Sequence, residues 1–416
     1  MNLSFAMSLW LSTGLPLFNH LVRCSCQSSP LFEATIPAWL RSRDWKLEQD
    51  PTFLTQAPPA SLCQEDNNRT CAAPPTDPDR RHLRSIAYPL FSTNLHLGGE
   101  DIFVFEHFFY GMTGGLFLEA GAADGFRESS TMLLERYAGW RGIHIEGSPI
   151  NYRLLINNRP DTLNLNAVLC SERAGEDNDG VVTFKAQELI GGIVRFMEPG
   201  KVQGLDVRNV TVDGNGTVRV DPNVTDLPAA GIANLPCLSL RRVLRRFGIR
   251  HINFMMVDIE GAEWPVLEAF NFSDVTVDVL AIETNAREAG TGKADLFQAH
   301  LSQYGYRMTY PIHGYLGLNT YFLREGFVPS TRPGAGRQAD NRYREVLLKG
   351  APECWRNAVL VDHDDGDRIV MMVTPERCCS YAGWVSVCFA EAFTYRKCCL
   401  QPMGLDMQGD GLVTFV

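Results

Sequence analysis

The stretch that decides the fold is Phe117-Leu118-Glu119-Ala120-Gly121-Ala122-Ala123-Asp124-Gly125-Phe126. Its apolar beginning predicts a buried strand, and its glycines predict a tight turn that opens a helix. Gly121 and Gly125 lack a Cβ, so the backbone of this turn can approach a ligand closely and can adopt positive φ. A Rossmann-like sheet receives a nucleotide-like cofactor at such a turn. This stretch alone leaves open the alternative of a structural turn without a ligand.

Two later segments also end an apolar run with acidic residues. Ile143-His144-Ile145-Glu146 predicts a second strand, and an acid at its end can accept both hydroxyls of an adenosine ribose. Ile252-Asn253-Phe254-Met255-Met256-Val257 predicts another buried strand, which delivers Asp258, Glu260 and Glu263 at its carboxyl end. Ligands of open α/β sheets bind at the carboxyl ends of the strands. Three strands that end in this way favour a ligand site over a plain turn.

Together these segments resemble the FkbM-type methyltransferases, and the resemblance covers about residues 88–325 in the correct order. It implies an α/β fold, a class I Rossmann-like methyltransferase sheet with helices on both faces. Ala123 stands where many methyltransferases have a middle glycine. The matching positions are Glu119, Gly121, Ala122, Gly125, Trp140-Arg141-Gly142, Glu146, Pro149, Asn151, Tyr152, Asn166-Ala167-Val168 and Asp258-Ile259-Glu260-Gly261-Ala262-Glu263.

The resemblance implies S-adenosyl-L-methionine as the cofactor. It also implies an O-methyltransferase that acts on a hydroxyl, on a sugar of a glycan or glycoconjugate. The alternative is a non-catalytic secretory-pathway or trafficking protein on the same scaffold, because some animal proteins with similar domains act in trafficking. The residues expected to bind the cofactor are Glu119, Gly121, Ala122, Asp124, Gly125, Glu146, Ala167 and Asp258.

Asp258 is the candidate catalytic base, because the end of its strand should lie near the reacting methyl group. Its alternative roles are to cap the next helix, together with Glu263, or to bind the amino group of the cofactor. His313, in the loop between the last two predicted strands, is a second candidate base, with an ordinary surface histidine as the alternative. Asp258, Glu283 and Asn285 could instead hold Mg²⁺, an arrangement that resembles catechol-type methyltransferases. Our prediction assigns no metal.

The charge balance argues against nucleic acid as a partner. The 416-residue chain has 38 Lys and Arg against 48 Asp and Glu, a formal net charge of −10, whereas nucleic-acid binding needs clustered basic residues. The densest basic group, Arg241, Arg242, Arg245 and Arg246, has helical spacing and predicts a solvated helix face. The expected partners are therefore the small-molecule cofactor and a carbohydrate or glycoconjugate acceptor.

Composition divides the chain into five segments. Residues 1–26 predict a signal peptide or membrane anchor, with a disordered leader as the alternative, and any membrane contact is expected through them alone. Residues 27–84 carry proline clusters and predict a linker or stem. The methyltransferase domain is expected over residues 85–328, followed by a linker at 329–350 and a Cys-rich tail at 351–416.

A long insertion is expected between the third and fourth strands of the domain. Residues 207–212 and 217–220 are rich in valine and flank Asp213-Gly214-Asn215-Gly216, which predicts a β-hairpin. Beyond the insertion, Ser239 is expected to cap the arginine-bearing helix and Gly248 to end it.

Cysteine placement predicts an oxidising compartment. Most of the 12 cysteines lie outside the expected domain in even-numbered groups, which is typical of disulfides. Sequons at Asn68, Asn209, Asn215, Asn223 and Asn271 point the same way. We expect the secretory lumen or secretion, with the Golgi as one location and the cytoplasm as the alternative. The tail cysteines, whose pairing is open, are Cys354, Cys378, Cys379, Cys388, Cys398 and Cys399.

Overall fold

The architecture is that of a computed structural model. It describes residues 33–42, 87–94, 99–171, 181–186, 191–197, 210–212, 218–220, 231–284, 292–309, 318–332, 349–355, 359–364, 367–372, 396–403, 405–407 and 413–415. Among these residues, no helix combines the length and the apolar character that crossing a bilayer requires. Five residues named in the sequence analysis lie outside the described residues: His313, Asn285 and three of the six tail cysteines, Cys378, Cys379 and Cys388.

The strands follow one another along the chain as β1 (Glu33–Thr35), β2 (Leu116–Ala120), β3 (Arg141–Glu146), β4 (Leu163–Asn166), β5 (Val168–Leu169), β6 (Val181–Ala186), β7 (Gly192–Ile193), β8 (Val210–Val212), β9 (Val218–Val220), β10 (Gly231–Leu238), β11 (His251–Val257), β12 (Thr276–Glu283), β13 (Tyr306–Met308), β14 (Asn319–Arg324), β15 (Val359–Asp364), β16 (Asp367–Met372), β17 (Leu405–Met407) and β18 (Val413–Phe415). The α-helices are α1 (Ala38–Arg41), α2 (Glu100–Phe108), α3 (Met132–Arg136), α4 (Pro149–Asn158), α5 (Leu240–Arg246), α6 (Glu263–Glu268), α7 (Lys293–Leu301) and α8 (Pro352–Trp355).

Eight strands of the described chain form the central sheet, in the order β1-β4-β3-β2-β11-β12-β14-β13. Five neighbouring strands, β4, β3, β2, β11 and β12, run parallel. Strands β14 and β13 complete the far edge in antiparallel pairs. This mostly parallel sheet with its helices is consistent with the methyltransferase fold that the sequence predicts. The carboxyl ends of β3, β2, β11 and β12 consequently lie side by side along one edge.

The central strands are buried on both faces, which explains their nearly continuous apolar sequences. Along β2 the side chains alternate: Phe117 packs with the aromatic residues of α2, whereas Leu118 packs with α5, α6 and α7. The helix ends follow the sequence as predicted. Ser239 accepts a hydrogen bond from the Arg242 amide at the start of α5, and Gly248 has positive φ just beyond its end.

The insertion forms more structure than the hairpin that the sequence predicts. That hairpin is present, since β8 pairs with β9 in antiparallel register. In addition, β5, β10, β6 and β7 build a second sheet, in which β10 lies between β5 and β6. A disulfide joins Cys170 to Cys237 across the start and the end of this segment. The disulfide therefore links the residue after β5 to β10, which are paired strands of the second sheet.

The predicted stem over residues 27–84 differs from the structure at residues 33–42. There β1 pairs antiparallel with β4 and extends the central sheet by one strand. The Trp39 indole donates a hydrogen bond to the Asp161 carbonyl oxygen at 3.0 Å. Three residues between prolines show no strand pattern in the sequence. The strand is stable because β4 supplies its hydrogen-bond partners.

Part of the Cys-rich tail packs on the central domain. A disulfide joins Cys354 to Cys398, and Cys399 is also disulfide-bonded. Cys354, Cys398 and Met403 belong to the same buried cluster as the α2 aromatic residues. The described residues of the tail around Cys354 and Cys398 thus pack on the domain, and a disulfide cross-links them to each other.

Candidate active site

The glycine turn after β2 is shaped by the backbone of the neighbouring strand. The Asp258 amide donates a hydrogen bond to the Ala120 carbonyl at 3.1 Å, and the Gly121 amide donates to the Ile145 carbonyl at 2.9 Å. Gly121 has a φ of 85°. A Cβ at this position would fall on the carbonyl oxygen of Asp258. Gly121 is therefore required for the close approach of two strands, whatever ligand the turn receives.

One cavity opens at the carboxyl edge of the central sheet, above this turn. Of the predicted cofactor residues, Glu119, Gly121, Ala122, Glu146 and Asp258 line it. Asp124, Gly125 and Ala167 are not among its lining residues. The remaining lining residues, which were not among the predicted cofactor residues, are Glu100, Ala120, Ala123, Arg127, Glu128, Ser129, Ser130, Asn151, Gly191, Met256, Glu260, Leu318 and Asn319.

Glu146 ends β3 with its carboxylate oriented by backbone amides. Its Oε2 accepts from the Ala123 amide at 2.8 Å, and its Oε1 accepts from the Ser148 amide at 2.6 Å. Burial raises the pKa of Glu146 to about 7, against the lowering effect of these hydrogen bonds. A carboxylate can accept about four hydrogen bonds, so this fixed group retains capacity for ligand hydroxyls.

Glu119 is held in a buried polar network below the cavity. Its carboxylate accepts from the Ser130 amide at 2.8 Å and from the Thr131 hydroxyl at 2.6 Å, and His144 Nε2 lies 3.4 Å away. Burial alone would raise its pKa, but His144, Arg159 and the hydroxyl donors outweigh burial and lower it. Glu119 therefore fixes the loop that follows the glycine turn and forms part of the cavity wall.

Three of the predicted cofactor residues, which do not line the cavity, make contacts that position the glycine turn and the end of β3. Asp124 caps the turn, since its Oδ1 accepts from the amides of Phe126 and Arg127. Gly125 has a φ of 71°, and a Cβ there would collide with Leu155 of α4. The Ala167 amide donates to the Glu146 carbonyl at 3.0 Å and so positions the end of β3.

Arg159, at the end of α4, holds the loop that follows the glycine turn, although its sequence context does not indicate that role. Its guanidinium is fully buried and pairs with Glu135. It also donates to the Gly125 carbonyl at 2.9 Å, to the Ser129 hydroxyl at 3.0 Å and to the Thr131 hydroxyl at 3.1 Å. A buried arginine with several acceptors is satisfied only when they are all in place, so it locks the loop in one conformation.

Asp258 presents a carboxylate to the cavity from the residue after β11. No side chain or backbone amide of the described residues donates a hydrogen bond to that carboxylate. Burial raises its pKa well above the usual range, and the nearby Glu283, Glu260 and Glu263 raise it further. A carboxylate with a raised pKa binds a proton more strongly than an ordinary carboxylate, which is the direction that favours a general base.

A bound metal ion is the alternative role for the carboxylates around Asp258. Carboxylate oxygens of Asp258, Glu263 and Glu283 lie within 4.8 Å of one another, and carboxylates are the ligands that Mg²⁺ prefers. Asp258 and Glu283 belong to the predicted metal group, Glu263 joins them, and Asn285 lies outside the described residues. However, Glu263 Oε1 already accepts from the amides of Ile259 at 2.8 Å and Gly261 at 3.1 Å. Glu263 therefore also closes the turn after β11.

Left-handed backbone is concentrated at the cavity. Among the described residues, the non-glycine residues with positive φ are Ala123, Glu128 and Glu260, and all three line the cavity. Each such conformation costs about 1–3 kcal/mol, and strain of this kind clusters at functional sites. The second sheet supports the strained turn at Glu260, because Gly192 lies close to the Glu260 side chain and Gly261 lies close to the Phe196 carbonyl.

Comparison with known protein families finds a match that covers most of the residues of this cavity. Residues 119–308 match the family model of the methyltransferase FkbM domain. The chain contains an FkbM methyltransferase domain. No curated protein matches the chain. The match to the FkbM domain begins at Glu119 and ends at Met308, so two residues of the cavity, Glu100 and Asn319, lie outside it.

Proteins of the FkbM family generally use S-adenosylmethionine, and the residues of this cavity fit that group. Glu146 offers oxygens suited to ribose hydroxyls. Asp258, Glu260 and Glu128 give the cavity negative character that suits a cationic ligand. Asn319 Oδ1 is a buried acceptor to which none of the described groups donates.

Proposed function

We propose that the FkbM domain of this chain is an S-adenosylmethionine-dependent O-methyltransferase that acts on a hydroxyl of a sugar in a glycan or glycoconjugate. The observation that carries the proposal is the shared cavity of Glu146, the Gly121 turn and Asp258. The cofactor supplies an activated methyl group when it is bound. The chain's own task is then to orient the acceptor hydroxyl and to take up its proton.

Asp258 is the residue we assign to the proton. The bound cofactor would supply the methyl group to the acceptor oxygen and would leave as its demethylated product, while the Asp258 carboxylate would accept the proton that the acceptor hydroxyl loses. The raised pKa of this carboxyl group and its freedom from hydrogen-bond donors in the described chain support the assignment. His313 remains a candidate from the sequence, outside the described residues.

The open cavity favours an enzyme over the non-catalytic alternative, because a scaffold protein has no need of it. The test is mass spectrometry of a released glycan pool after incubation with isotope-labelled S-adenosylmethionine. We expect a labelled methyl group on a sugar hydroxyl, and Asp258→Asn is the matched control. A protein that binds the cofactor but labels no glycan would overturn the sugar acceptor, and one that binds no cofactor would overturn the enzyme.

We further propose that this methyltransferase works in the secretory lumen, including the Golgi, or after secretion. The disulfides Cys170–Cys237 and Cys354–Cys398 support an oxidising compartment. Glycosidase treatment of the protein from a secretory host should reduce its mass. Free thiols together with an unchanged mass would favour the cytoplasm instead.

A further inference from the structure

Asn319 and Glu100 form a buried pair at one end of the cavity. Asn319 is 2% exposed and Glu100 is 6% exposed. The Asn319 Nδ2 donates to Glu100 Oε1, while Glu100 Oε2 accepts from the Ser130 hydroxyl at 2.9 Å. Both residues line the cavity. They come from α2 and β14, so the fold, and not the local sequence, brings them together.

The oxygen of Asn319 requires a donor that the described chain does not provide. Within the described residues, no group donates a hydrogen bond to Asn319 Oδ1, although the atom is buried. A buried acceptor without a donor costs about 1–3 kcal/mol. Because this residue lines the cavity, a ligand N–H or O–H is the donor that the geometry allows.

The position of the pair indicates which part of a ligand reaches it. Glu146 ends β3, and Asn319 begins β14 opposite Glu283 at the end of β12. The sheet order puts four strand spacings between β3 and β14, about 19 Å at the usual separation of strands. The side chains of Glu146 and Asn319 nevertheless line one cavity, so a cofactor with its ribose at Glu146 would present its amino-acid end, the part that lies beyond the ribose from the adenine, to Asn319.

The charges at this end of the cavity select among the groups of that amino-acid end. Its carboxylate would be repelled by Glu100 and by the neighbouring Glu119 and Glu283, which add to the effect of burial in raising the pKa of Glu100. Its ammonium group is a cation with three N–H donors. The ammonium group therefore satisfies both the acidic surroundings and the Asn319 oxygen.

We propose that Asn319 and Glu100, which lie outside the matched family segment, bind the ammonium group of the cofactor's amino-acid end. The inference rests on the proposed use of S-adenosylmethionine and deepens it. It gives these two residues the role of specificity-determining contacts that distinguish ligands with the amine from ligands without it.

The test is calorimetry with three defined probes. S-Adenosylhomocysteine carries the whole amino-acid end, its decarboxylated form keeps the amine alone, and 5′-methylthioadenosine lacks both groups. We expect Asn319→Leu to weaken the first two by about tenfold, since each loses a hydrogen bond to a charged group, and to leave the third unchanged. Unchanged affinity for 5′-methylthioadenosine also shows that the variant is folded. Thr320→Val, on the same strand but outside the cavity lining, is the matched control and should change none of the three affinities.

Glu100→Gln removes the charge and provides the second test if Asn319→Leu does not fold. It should weaken the two amine-bearing probes and spare 5′-methylthioadenosine. If the affinities for all three probes fall equally, or if none falls, the ammonium assignment is overturned. Asn319 and Glu100 would then be candidates for contacts with the methyl acceptor. Failure of the parent protein to bind any probe would instead overturn the proposed cofactor.

Discussion

The backbone carbonyl oxygen of Asp258 occupies the space that a Cβ on Gly121 would need. Two adjacent parallel strands thus approach each other at a residue of the glycine turn that carries no side chain. We expect Gly121→Ala to lower the free energy of unfolding by several kcal/mol, because the clash involves backbone on both sides. Denaturant unfolding measures the effect. Gly114→Ala is the control, since Gly114 also has positive φ but no atom lies near its Cβ position, so about 1 kcal/mol should be lost. Equal losses would show that the strands can separate.

Glu146→Gln should weaken S-adenosylmethionine binding by about tenfold or more, because the carboxylate loses a charge-assisted acceptor for the ribose hydroxyls. Calorimetry gives the affinity. Ser148→Ala, which alters the cap of α4 but retains the carboxylate, is the control. Unchanged affinity in Glu146→Gln would leave this acid as a cap for the Ala123 and Ser148 amides alone.

Asp258→Asn should preserve most cofactor affinity and lower turnover by about 10² or more, because the amide cannot accept the proton. Calorimetry and labelled methyl transfer measure the two effects separately. A chelator should leave the parent's turnover intact. Loss of activity with the chelator, restored by Mg²⁺, would favour the metal arrangement of Asp258, Glu263 and Glu283.

Stability should depend on pH through Glu100, whose pKa burial raises from 4.5 to about 7. Between these values the folded state binds more protons at Glu100 than the unfolded state, so its contribution stabilises the fold at the acidic end of the window and is lost as pH rises through about 7. The measurement is the difference in unfolding free energy between the parent and Glu100→Gln from pH 5 to pH 8. We expect that difference to change steadily across the window. A constant difference would mean that Glu100 titrates normally.

Reduction should destabilise the second sheet before it affects the central sheet. The Cys170–Cys237 bridge closes a segment with a sequence separation of 67 residues, and a cross-link of that size contributes roughly 2–4 kcal/mol. In hydrogen exchange, the double variant Cys170→Ser/Cys237→Ser should exchange faster than the parent, and the increase should be larger in β6 and β10 than in β2 and β11. Uniform protection in parent and variant would show that packing alone holds the insertion. Non-reducing peptide mapping should find both Cys170–Cys237 and Cys354–Cys398.

The strands and turns of the central domain could be predicted because their signals are local. Buried parallel strands require apolar runs, and the turn after β2 requires glycine at positive φ, so the stretch from Phe117 to Phe126 carries its own structure. The acids Glu146 and Asp258 were placed correctly at strand ends for the same reason. The edge strand β1 was not predicted, since three residues are too few to show a pattern without their partner.

The sequence alone determined the sheet, the glycine turn and the acids that end its strands, because each depends on neighbours along the chain. The tertiary structure decided which residues meet at the cavity. Glu100 and Asn319 are far apart in the chain and become partners only when α2 packs over the sheet beside β14. It also decided that Gly121 serves strand packing and that Cys170 pairs with Cys237. Such contacts follow from long-range packing, which no local pattern of residues encodes.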